Sequence, residues 1–205
     1  MTRRPQLKAA VSRKEFAQNI AEMAAAFSRN IELSVDAFPS DPAARAERLA
    51  RVADFAGEGF EFFLKTYLPH YVKGEDSLFH RAIFELAPQV LTATTGKREM
   101  LIAPRGSSKS THMSLGFALY CIVMRKTRFC LEVCDVYAQA ALLIEAIKAE
   151  LTTNPRLQND FPEACGVNRR AKLTPYRRPK LTPFATSRSG PEPTELITEW
   201  RRVRP

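Results

Sequence analysis

The sequence lacks the features that are typical of membrane, secreted and metal-binding proteins. No apolar stretch approaches the roughly 20 residues that cross a bilayer, and the basic start, residues 1–5, has no apolar core after it, so no signal peptide is expected. The cysteines lack paired C-x-x-C spacing. Their positions in or near apolar segments favour reduced structural thiols in a cytosolic protein over disulfides or a metal site. They are Cys121, Cys130, Cys134 and Cys165.

What is present is typical of a soluble globular chain with an uneven charge. Of the 205 residues, 45% are hydrophobic and 26% are charged, which allows one domain with a sizeable core. The net charge is +9, but residues 166–205 contribute +7 of it, with ten Lys or Arg and three Asp or Glu. Basic segments are typical of proteins that bind nucleic acid. That interpretation therefore applies mainly to the C-terminal segment.

Periodic apolar residues predict a helical N-terminal region, residues 14–95. Residues 14–30 have apolar side chains at three- and four-residue steps, as an amphipathic helix does. Asp41 followed by Pro42 predicts the start of a second helix, and Ser77 predicts the start of a third. Residues 1–13 are expected to be a disordered arm. The proline- and arginine-rich residues 166–205 are expected to be a coil-like, disordered basic tail.

Residues 96–165 predict a different architecture. Glu99–Ala103 and Arg128–Cys134 have the apolar character of buried strands, and Lys109–Met124 and Tyr137–Leu151 have helical periodicity. A strand–loop–helix–strand–helix order predicts a parallel, right-handed βαβ unit with ligand at the carboxyl ends of the strands. The sequence therefore predicts an α/β fold with a partial P-loop NTPase core.

The candidate binding site is the segment Ala103–Thr111, Ala-Pro-Arg-Gly-Ser-Ser-Lys-Ser-Thr, which we call the lysine loop. It resembles the phosphate-binding pattern G-x-x-x-x-G-K-[ST], with Ala103 and Ser108 in the two glycine positions. In this pattern Lys109 reaches the β- and γ-phosphates of a nucleotide, and Ser110, or less favourably Thr111, offers a hydroxyl to Mg²⁺. Gly106, Ser107 and Ser108 would let the backbone approach phosphate. The alternative is a turn into a helix, with the serines as N-cap.

Two further charged residues have open roles. Arg105 could contact the γ-phosphate and stabilise transition-state charge, or could be an ordinary surface arginine. Asp135 could cap the helix that follows it, or could hold Mg²⁺ in a complete protein of another P-loop family. No apolar segment ends in adjacent acids, so no catalytic acid is recognisable.

Histidine and tyrosine side chains form a second candidate group. His112 has no second ligand in the sequence, so a metal site there is not expected. The others could line an adenine pocket, or could be the amphipathic rim of a helical core. They are Tyr67, His70, Tyr71 and His80.

Four segments in this order resemble the N-terminal ATPase region of the tailed-phage terminase large subunit. The lysine loop is similar to the arginine-bearing variant Walker A motif of that family, and residues 129–140 resemble the stretch that follows it. Residues 154–162 resemble the next stretch, and residues 62–81 resemble the upstream segment near the adenine. The resemblance covers roughly residues 60–165.

The resemblance implies an ATP- and Mg²⁺-dependent motor that packages viral DNA in the host bacterial cytoplasm. Lys109 and Ser110 would contact nucleotide and Mg²⁺, and Arg105 would contact phosphate. Double-stranded DNA, the terminase small subunit and the portal protein would be partners, self-association would be possible, and no membrane would be involved. The acidic Walker B strand and the nuclease domain of that family are absent from this sequence, so a truncated or frame-shifted form is expected. The alternative is a non-enzymatic protein that binds nucleic acid through its basic tail.

Overall fold

The computed structural model describes residues 12–127 and 129–165, apart from the Arg13 side chain. Every regular element in these residues is helical. The helices are α1 (Arg13–Ser34), α2 (Pro42–Val52), α3 (Gly59–Tyr67), α4 (Leu78–Leu91), a π-helical segment (Thr111–Phe117) that continues into α5 (Ala118–Val123), α6 (Tyr137–Thr153) and α7 (Pro155–Asp160).

Local capping chemistry starts the N-terminal helices where the sequence predicts. The Ser12 hydroxyl accepts from the Glu15 N–H, and the Glu15 carboxylate accepts from the Ser12 N–H at 2.8 Å, which is a complete capping box. Asp41 caps α2, and Pro42 occupies its first turn. Ser77 caps α4. The predicted N-terminal helices are therefore confirmed.

The main core lies where α3 packs against the helical run that contains the π-helical segment and α5. Phe60, Phe63 and Tyr120 are buried there. The ring centroid of Tyr120 lies 5.6 Å from that of Phe60 and 5.2 Å from that of Phe63. The Tyr120 hydroxyl donates to the Val52 carbonyl at 2.7 Å. Gly116 faces Leu64 so closely that a Cβ there would overlap the leucine side chain. A Cβ at this position would force the Leu64 side chain to move, so the glycine allows this close approach of the two helices.

A buried carboxylate joins α2, α3 and α7. Asp160 accepts two hydrogen bonds from the Arg48 guanidinium, at 2.8 and 3.0 Å, and one from the Tyr67 hydroxyl at 2.7 Å. Its side chain is completely buried, so these bonds replace its hydration. Burial, and then the Asp160 carboxylate, raises the pKa of Tyr67. Tyr67 therefore remains a neutral donor to Asp160.

A second buried polar cluster lies between α3 and α6. Glu150 Oε1 lies 2.8 Å from His70 Nε2, and Glu150 Oε2 accepts from the Asn154 amide at 2.8 Å. The same amide donates to the Tyr67 carbonyl, at the C-terminus of α3. Asn154 Oδ1 accepts from the Arg156 N–H and caps α7. The buried Asn154 side chain thus forms hydrogen bonds with polar groups of α3, α6 and α7.

The predicted α/β fold with a partial P-loop NTPase core is wrong for the residues that the structure describes. The expected strand Glu99–Ala103 forms no regular element, and neither do residues 129–134 of the expected strand Arg128–Cys134. No backbone hydrogen bond joins either segment to another part of residues 12–127 or 129–165. The predicted parallel βαβ unit does not form there.

The exposure of the two segments gives the physical reason. Two short parallel strands form no stable sheet unless further strands or packed layers bury their faces. Here the apolar side chains are left in solvent instead of being buried by neighbours. In these two segments, the large apolar side chains that are at least 65% exposed are Met100, Ile102, Phe129, Leu131 and Val133.

The predicted helices on either side of these segments do form. Lys109–Val123 is one continuous helical run, and α6 covers the whole of the helix predicted at residues 137–151. None of the helices in residues 12–127 and 129–165 has the length and apolarity to cross a membrane. The predicted arm, except for its last two residues, and the predicted tail 166–205 lie outside the described residues.

The Asp160 cluster generates a stability prediction. Asp160→Ala leaves the Arg48 guanidinium and the Tyr67 hydroxyl without their acceptor, so it should lower the free energy of unfolding by about 3–5 kcal/mol. Urea unfolding followed by circular dichroism measures the loss. Glu163→Ala is the matched control, because Glu163 pairs with Arg125 on the surface and should cost less than about 1 kcal/mol. Equal losses for the two variants would contradict the central role of Asp160.

Candidate phosphate-binding loop

The lysine loop follows an irregular segment and enters the helical run through two left-handed residues. Gly106 has φ 85° and Ser108 has φ 54°. Left-handed φ is natural for glycine and uncommon for serine, so Ser108 adopts the backbone conformation that a glycine in its position would adopt easily. Lys109 follows directly as the first helical residue. The serine in the glycine position therefore does not prevent a tight turn.

The backbone N–H groups of this loop are unpaired among the described residues. None of the N–H groups of residues 106–111 donates to a backbone or side-chain acceptor in residues 12–127 or 129–165. The first N–H groups of any helix have no acceptor within the helix, and here the preceding turn adds more of them. Such a run of donors at a helix N-terminus is suited to bind an anion.

Two histidine side chains hold the carbonyl groups of the same loop. His80 Nε2 lies 3.1 Å from the Ser107 oxygen, and His112 Nδ1 lies 3.0 Å from the Ser108 oxygen. The two imidazole rings stack with their centroids 4.3 Å apart. Because carbonyl oxygens only accept, each of these ring nitrogens carries a proton. The histidines thus hold the carbonyls, while the loop N–H groups have no acceptor in the part of the chain that the structure describes.

The surroundings of His112 favour its neutral ring. At His80 the Ser77 N–H points to Nδ1 at 3.4 Å, so Nε2 is the ring nitrogen that donates to the Ser107 oxygen. His112 is buried, and its Nε2 has no partner among the described residues. Burial lowers the pKa of His112, and His80 lowers it further, against the opposing effects of the Ser108 carbonyl and Asp76. Two cationic rings at this stacking distance would also repel each other.

The side chains of the loop place two cations beside the free N–H groups. Arg105 is exposed and Lys109 is half-buried, and neither forms an ion pair or side-chain hydrogen bond with a described residue. Ser110 is exposed, as a hydroxyl that binds Mg²⁺ would need to be, and Thr111 is half-buried. The residues predicted for phosphate contact are therefore contiguous and accessible at one helix start.

The candidate acid Asp135 is not part of this arrangement. It is exposed, and no hydrogen bond or ion pair joins it to the lysine loop. It does not cap α6 either, since Val136 occupies the N-cap position and no side chain caps that helix. Within residues 12–127 and 129–165 no group of three His, Cys, Asp or Glu side chains could hold a metal ion. A Mg²⁺ ion at Ser110 would therefore depend mainly on phosphate oxygens and water.

The structure separates the side chains considered for an adenine pocket. Tyr67 and His70 are buried in the polar clusters of the core, which favours the core interpretation for both. His80 instead lies under the lysine loop. Sequence reasoning missed its pairing with His112, and only the Ser77 helix start gave a local signal of where His80 would lie.

The helical body also has a cleft of about 350 Å³ between α1 and α6. None of its lining side chains belongs to the lysine loop, and its one cation, Lys148, pairs with Glu145 at 2.5 Å. The cleft therefore lacks the free cation and the free N–H groups that the loop provides.

No protein-family model, curated protein or solved structure matches the chain, so the assignment of function depends on the lysine loop itself.

The buried His112 generates a pH prediction. Its pKa is lowered in the folded protein, so the unfolded chain takes up a proton first as the pH falls below about 6.5, the ordinary histidine value. The contribution of neutral His112 to the free energy of unfolding is therefore complete above that pH and is lost below it. His112→Asn can keep a donor to the Ser108 oxygen and removes the titration.

Urea unfolding at about pH 7.5 and about pH 5.5 tests this sign, because the two values bracket the ordinary histidine pKa. The wild type should lose more unfolding free energy over this interval than His112→Asn does. An equal loss in both proteins would show that His112 titrates normally in the folded chain.

Proposed function

We propose that this chain binds the phosphates of ATP, with Mg²⁺, at the lysine loop. We further propose that it acts in viral DNA packaging as a protein related to the terminase large subunit. In this proposal Lys109 binds the β- and γ-phosphates, Arg105 binds the terminal phosphate, and Ser110 faces Mg²⁺. Gly106, Ser107, Ser108 and Thr111 contribute backbone N–H groups.

The observation that carries the proposal is the set of N–H groups over residues 106–111 that have no acceptor within residues 12–127 and 129–165. A polyphosphate offers many acceptor oxygens and negative charge, which both the donors and the positive end of the helix dipole favour. The alternative, a simple turn with a serine N-cap, predicts a serine hydroxyl that accepts from the first helical turn. No hydroxyl of Ser107 or Ser108 does so with a described residue, which favours the phosphate interpretation.

The charge balance of the loop supports a polyanion. Two cations lie within five residues of sequence, at Arg105 and Lys109, and no carboxylate of the described residues neutralises either of them. Hydrogen bonds between a cation and phosphate are stronger than neutral ones, and arginine can bind two phosphate oxygens at once. A small neutral ligand would not use these groups.

The proposal stops at binding and does not extend to unaided hydrolysis. Hydrolysis of ATP needs a group that positions the attacking water, commonly beside a Mg²⁺-binding acid. Asp76 approaches His80, which lies under the loop, at 4.0 Å, and it binds Lys65 at 2.6 Å. It is thus already paired. In this proposal any DNA translocation would need double-stranded DNA, the terminase small subunit, the portal protein and an acid from elsewhere.

The binding test compares single variants of the loop. Titration of Mg²⁺ and ATP, followed by calorimetry, should show binding by the wild type. Lys109→Ala should weaken it roughly 10- to 100-fold, because a charged hydrogen bond contributes about 1.5–3 kcal/mol. Lys14→Ala is the control, since Lys14 is an exposed lysine of α1 outside the loop.

Two outcomes would contradict the phosphate assignment. One is that the wild type shows no ATP binding while its circular dichroism shows the expected helices. The other is that Lys109→Ala and Lys14→Ala bind ATP equally well. The affinities of Arg105→Ala for ADP and for ATP test the contact with the terminal phosphate. This variant should bind ATP more weakly than the wild type and bind ADP equally well.

The charge of residues 166–205 favours a second candidate function. This segment carries +7 and the rest of the chain +2, so a protein that binds nucleic acid without hydrolysing ATP would use the tail. Counterion release makes such binding steeply dependent on salt.

Deletion of residues 166–205 separates the two candidates. If the tail binds DNA, the full chain should bind duplex DNA with an affinity that falls at least roughly tenfold between about 50 and 200 mM salt. The deletion variant should lose that binding and keep its affinity for ATP. Retention of DNA binding by the deletion variant would exclude the tail as the binding segment.

A further inference from the structure

His80 and His112 approach the lysine loop from the same side. His80 Nε2 lies 3.1 Å from the Ser107 oxygen, and His112 Nδ1 lies 3.0 Å from the Ser108 oxygen. The two rings stack, with an angle of 18° between their planes. Two consecutive carbonyl groups of the loop therefore point toward one stack of imidazole rings.

The peptide plane connects these carbonyl groups to the donors of the loop. A trans peptide unit, as both units here are, is rigid and planar, and its C=O and N–H groups point in opposite directions. The Ser107 carbonyl belongs to the same unit as the Ser108 N–H, and the Ser108 carbonyl belongs to the same unit as the Lys109 N–H. Because both carbonyls point toward the imidazoles, the two N–H groups point away from them.

The backbone of Ser108 does not favour this orientation by itself. Its φ of 54° lies in the left-handed region, which is unfavourable for serine. Rotation of the peptide unit between Ser107 and Ser108 would return φ of Ser108 to the negative range, as in the change from a type II to a type I turn. The rotation would also turn the Ser108 N–H to the opposite side. The hydrogen bond from His80 opposes it, because the rotation would break that bond.

Each imidazole is held in place by its own helix. The Ser77 N–H points to His80 Nδ1 at 3.4 Å, and the Ser77 hydroxyl accepts from the His80 N–H at 3.3 Å. These two contacts form the capping box of α4 and leave His80 Nε2 for the Ser107 oxygen. His112 is buried, and its backbone N–H donates to the Ser108 oxygen at 3.0 Å, beside the bond from its ring. The two donors to the loop are therefore fixed from outside the loop.

We propose that His80 and His112 are positioning residues for phosphate binding, an inference that rests on the proposed function of the lysine loop. His80 sets the direction of the Ser108 N–H, and His112 sets the direction of the Lys109 N–H. Neither imidazole contacts the phosphate, since each acts through one peptide unit. The two N–H groups then donate to oxygens of the same bound anion.

A purely structural role for the two histidines predicts a different response to substitution. If they only cap α4 and pack beside Phe84, any side chain that keeps those contacts would keep the affinity for ATP. If they position peptide units, the new side chain must carry a donor that reaches the carbonyl oxygen. The amide nitrogen of glutamine is as many bonds from Cβ as histidine Nε2, and that of asparagine is as many bonds from Cβ as histidine Nδ1.

Calorimetric titration of the full chain with ATP and Mg²⁺ tests position 80. His80→Asn can accept from the Ser77 N–H but does not reach the Ser107 oxygen, so it should bind ATP roughly three- to tenfold more weakly, the effect of one neutral hydrogen bond. His80→Gln should restore most of the affinity, because its amide reaches that oxygen and glutamine also forms capping boxes. Circular dichroism checks that both variants keep the helices.

Position 112 takes the reciprocal pair of variants, because its donor is Nδ1. His112→Asn should bind ATP more tightly than His112→Gln, since the asparagine amide has the length that reaches the Ser108 oxygen. His112 is buried whereas the His80 side chain is 18% exposed, so position 80 decides the outcome if a variant at position 112 does not fold.

Nuclear magnetic resonance of the ¹⁵N-labelled chain follows each amide separately. Saturation with ATP and Mg²⁺ should move the amide proton signals of Ser108 and Lys109 downfield in the wild type, because both amides donate to phosphate. His80→Asn should reduce the shift of Ser108 more than that of Lys109, and His112→Gln should do the reverse. Equal reductions at both amides in both variants would overturn the assignment of one histidine to each N–H group.

The calorimetric results separate this proposal from the assignment of the phosphate site. If His80→Asn binds ATP as tightly as the wild type, or if His80→Gln binds as weakly as His80→Asn, the positioning role is overturned. A weakened Lys109→Ala variant would in that case still support the phosphate site. A folded wild type that binds no ATP would overturn both proposals.

Discussion

The buried carboxylate of Asp160 is the interaction on which the rest of the structure depends. It binds Arg48 of α2 and Tyr67 of α3 from the end of α7, so it joins segments more than 90 residues apart in sequence. The Tyr67 carbonyl in turn accepts from Asn154, which also contacts the buried Glu150. A charge without water needs several donors at once, and that requirement orients α3. Because α3 packs closely against Gly116, the helical run that carries the lysine loop is oriented with it.

In the lysine loop, the backbone acceptors and the backbone donors have different surroundings. His80 and His112 bind the Ser107 and Ser108 carbonyls, while the N–H groups of residues 106–111 keep no acceptor among the described residues. Carbonyl oxygens that turned toward a bound phosphate would repel it. The two imidazoles thus bind carbonyl oxygens that would otherwise need donors from another part of the chain.

Sequence reasoning predicted the parts of this chain that depend on neighbouring residues. The helix starts at Asp41 and Ser77 follow from capping chemistry within a few residues, and the first helix follows from its apolar spacing. The lysine loop follows from a short motif, although its role stays a prediction. The prediction of two strands was wrong, because an apolar segment becomes a strand only when distant segments pair with it. The stack of His80 and His112 joins residues that no local pattern connects, and nothing in a serine predicts the left-handed backbone of Ser108.

The π-helical segment Thr111–Phe117 determines the direction in which the lysine loop faces. A π-helical turn contains one residue more than an α-helical turn, and each α-helical residue corresponds to about 100° of rotation and 1.5 Å of rise. If this segment were to rewind as an α-helix, everything before it would rotate by about that angle relative to α5. Lys109 and the unpaired N–H groups would then point to a different side of the protein, with no change in any residue of the loop. The direction in which the lysine loop faces thus depends on the backbone of a helix interior, not on the residues of the loop.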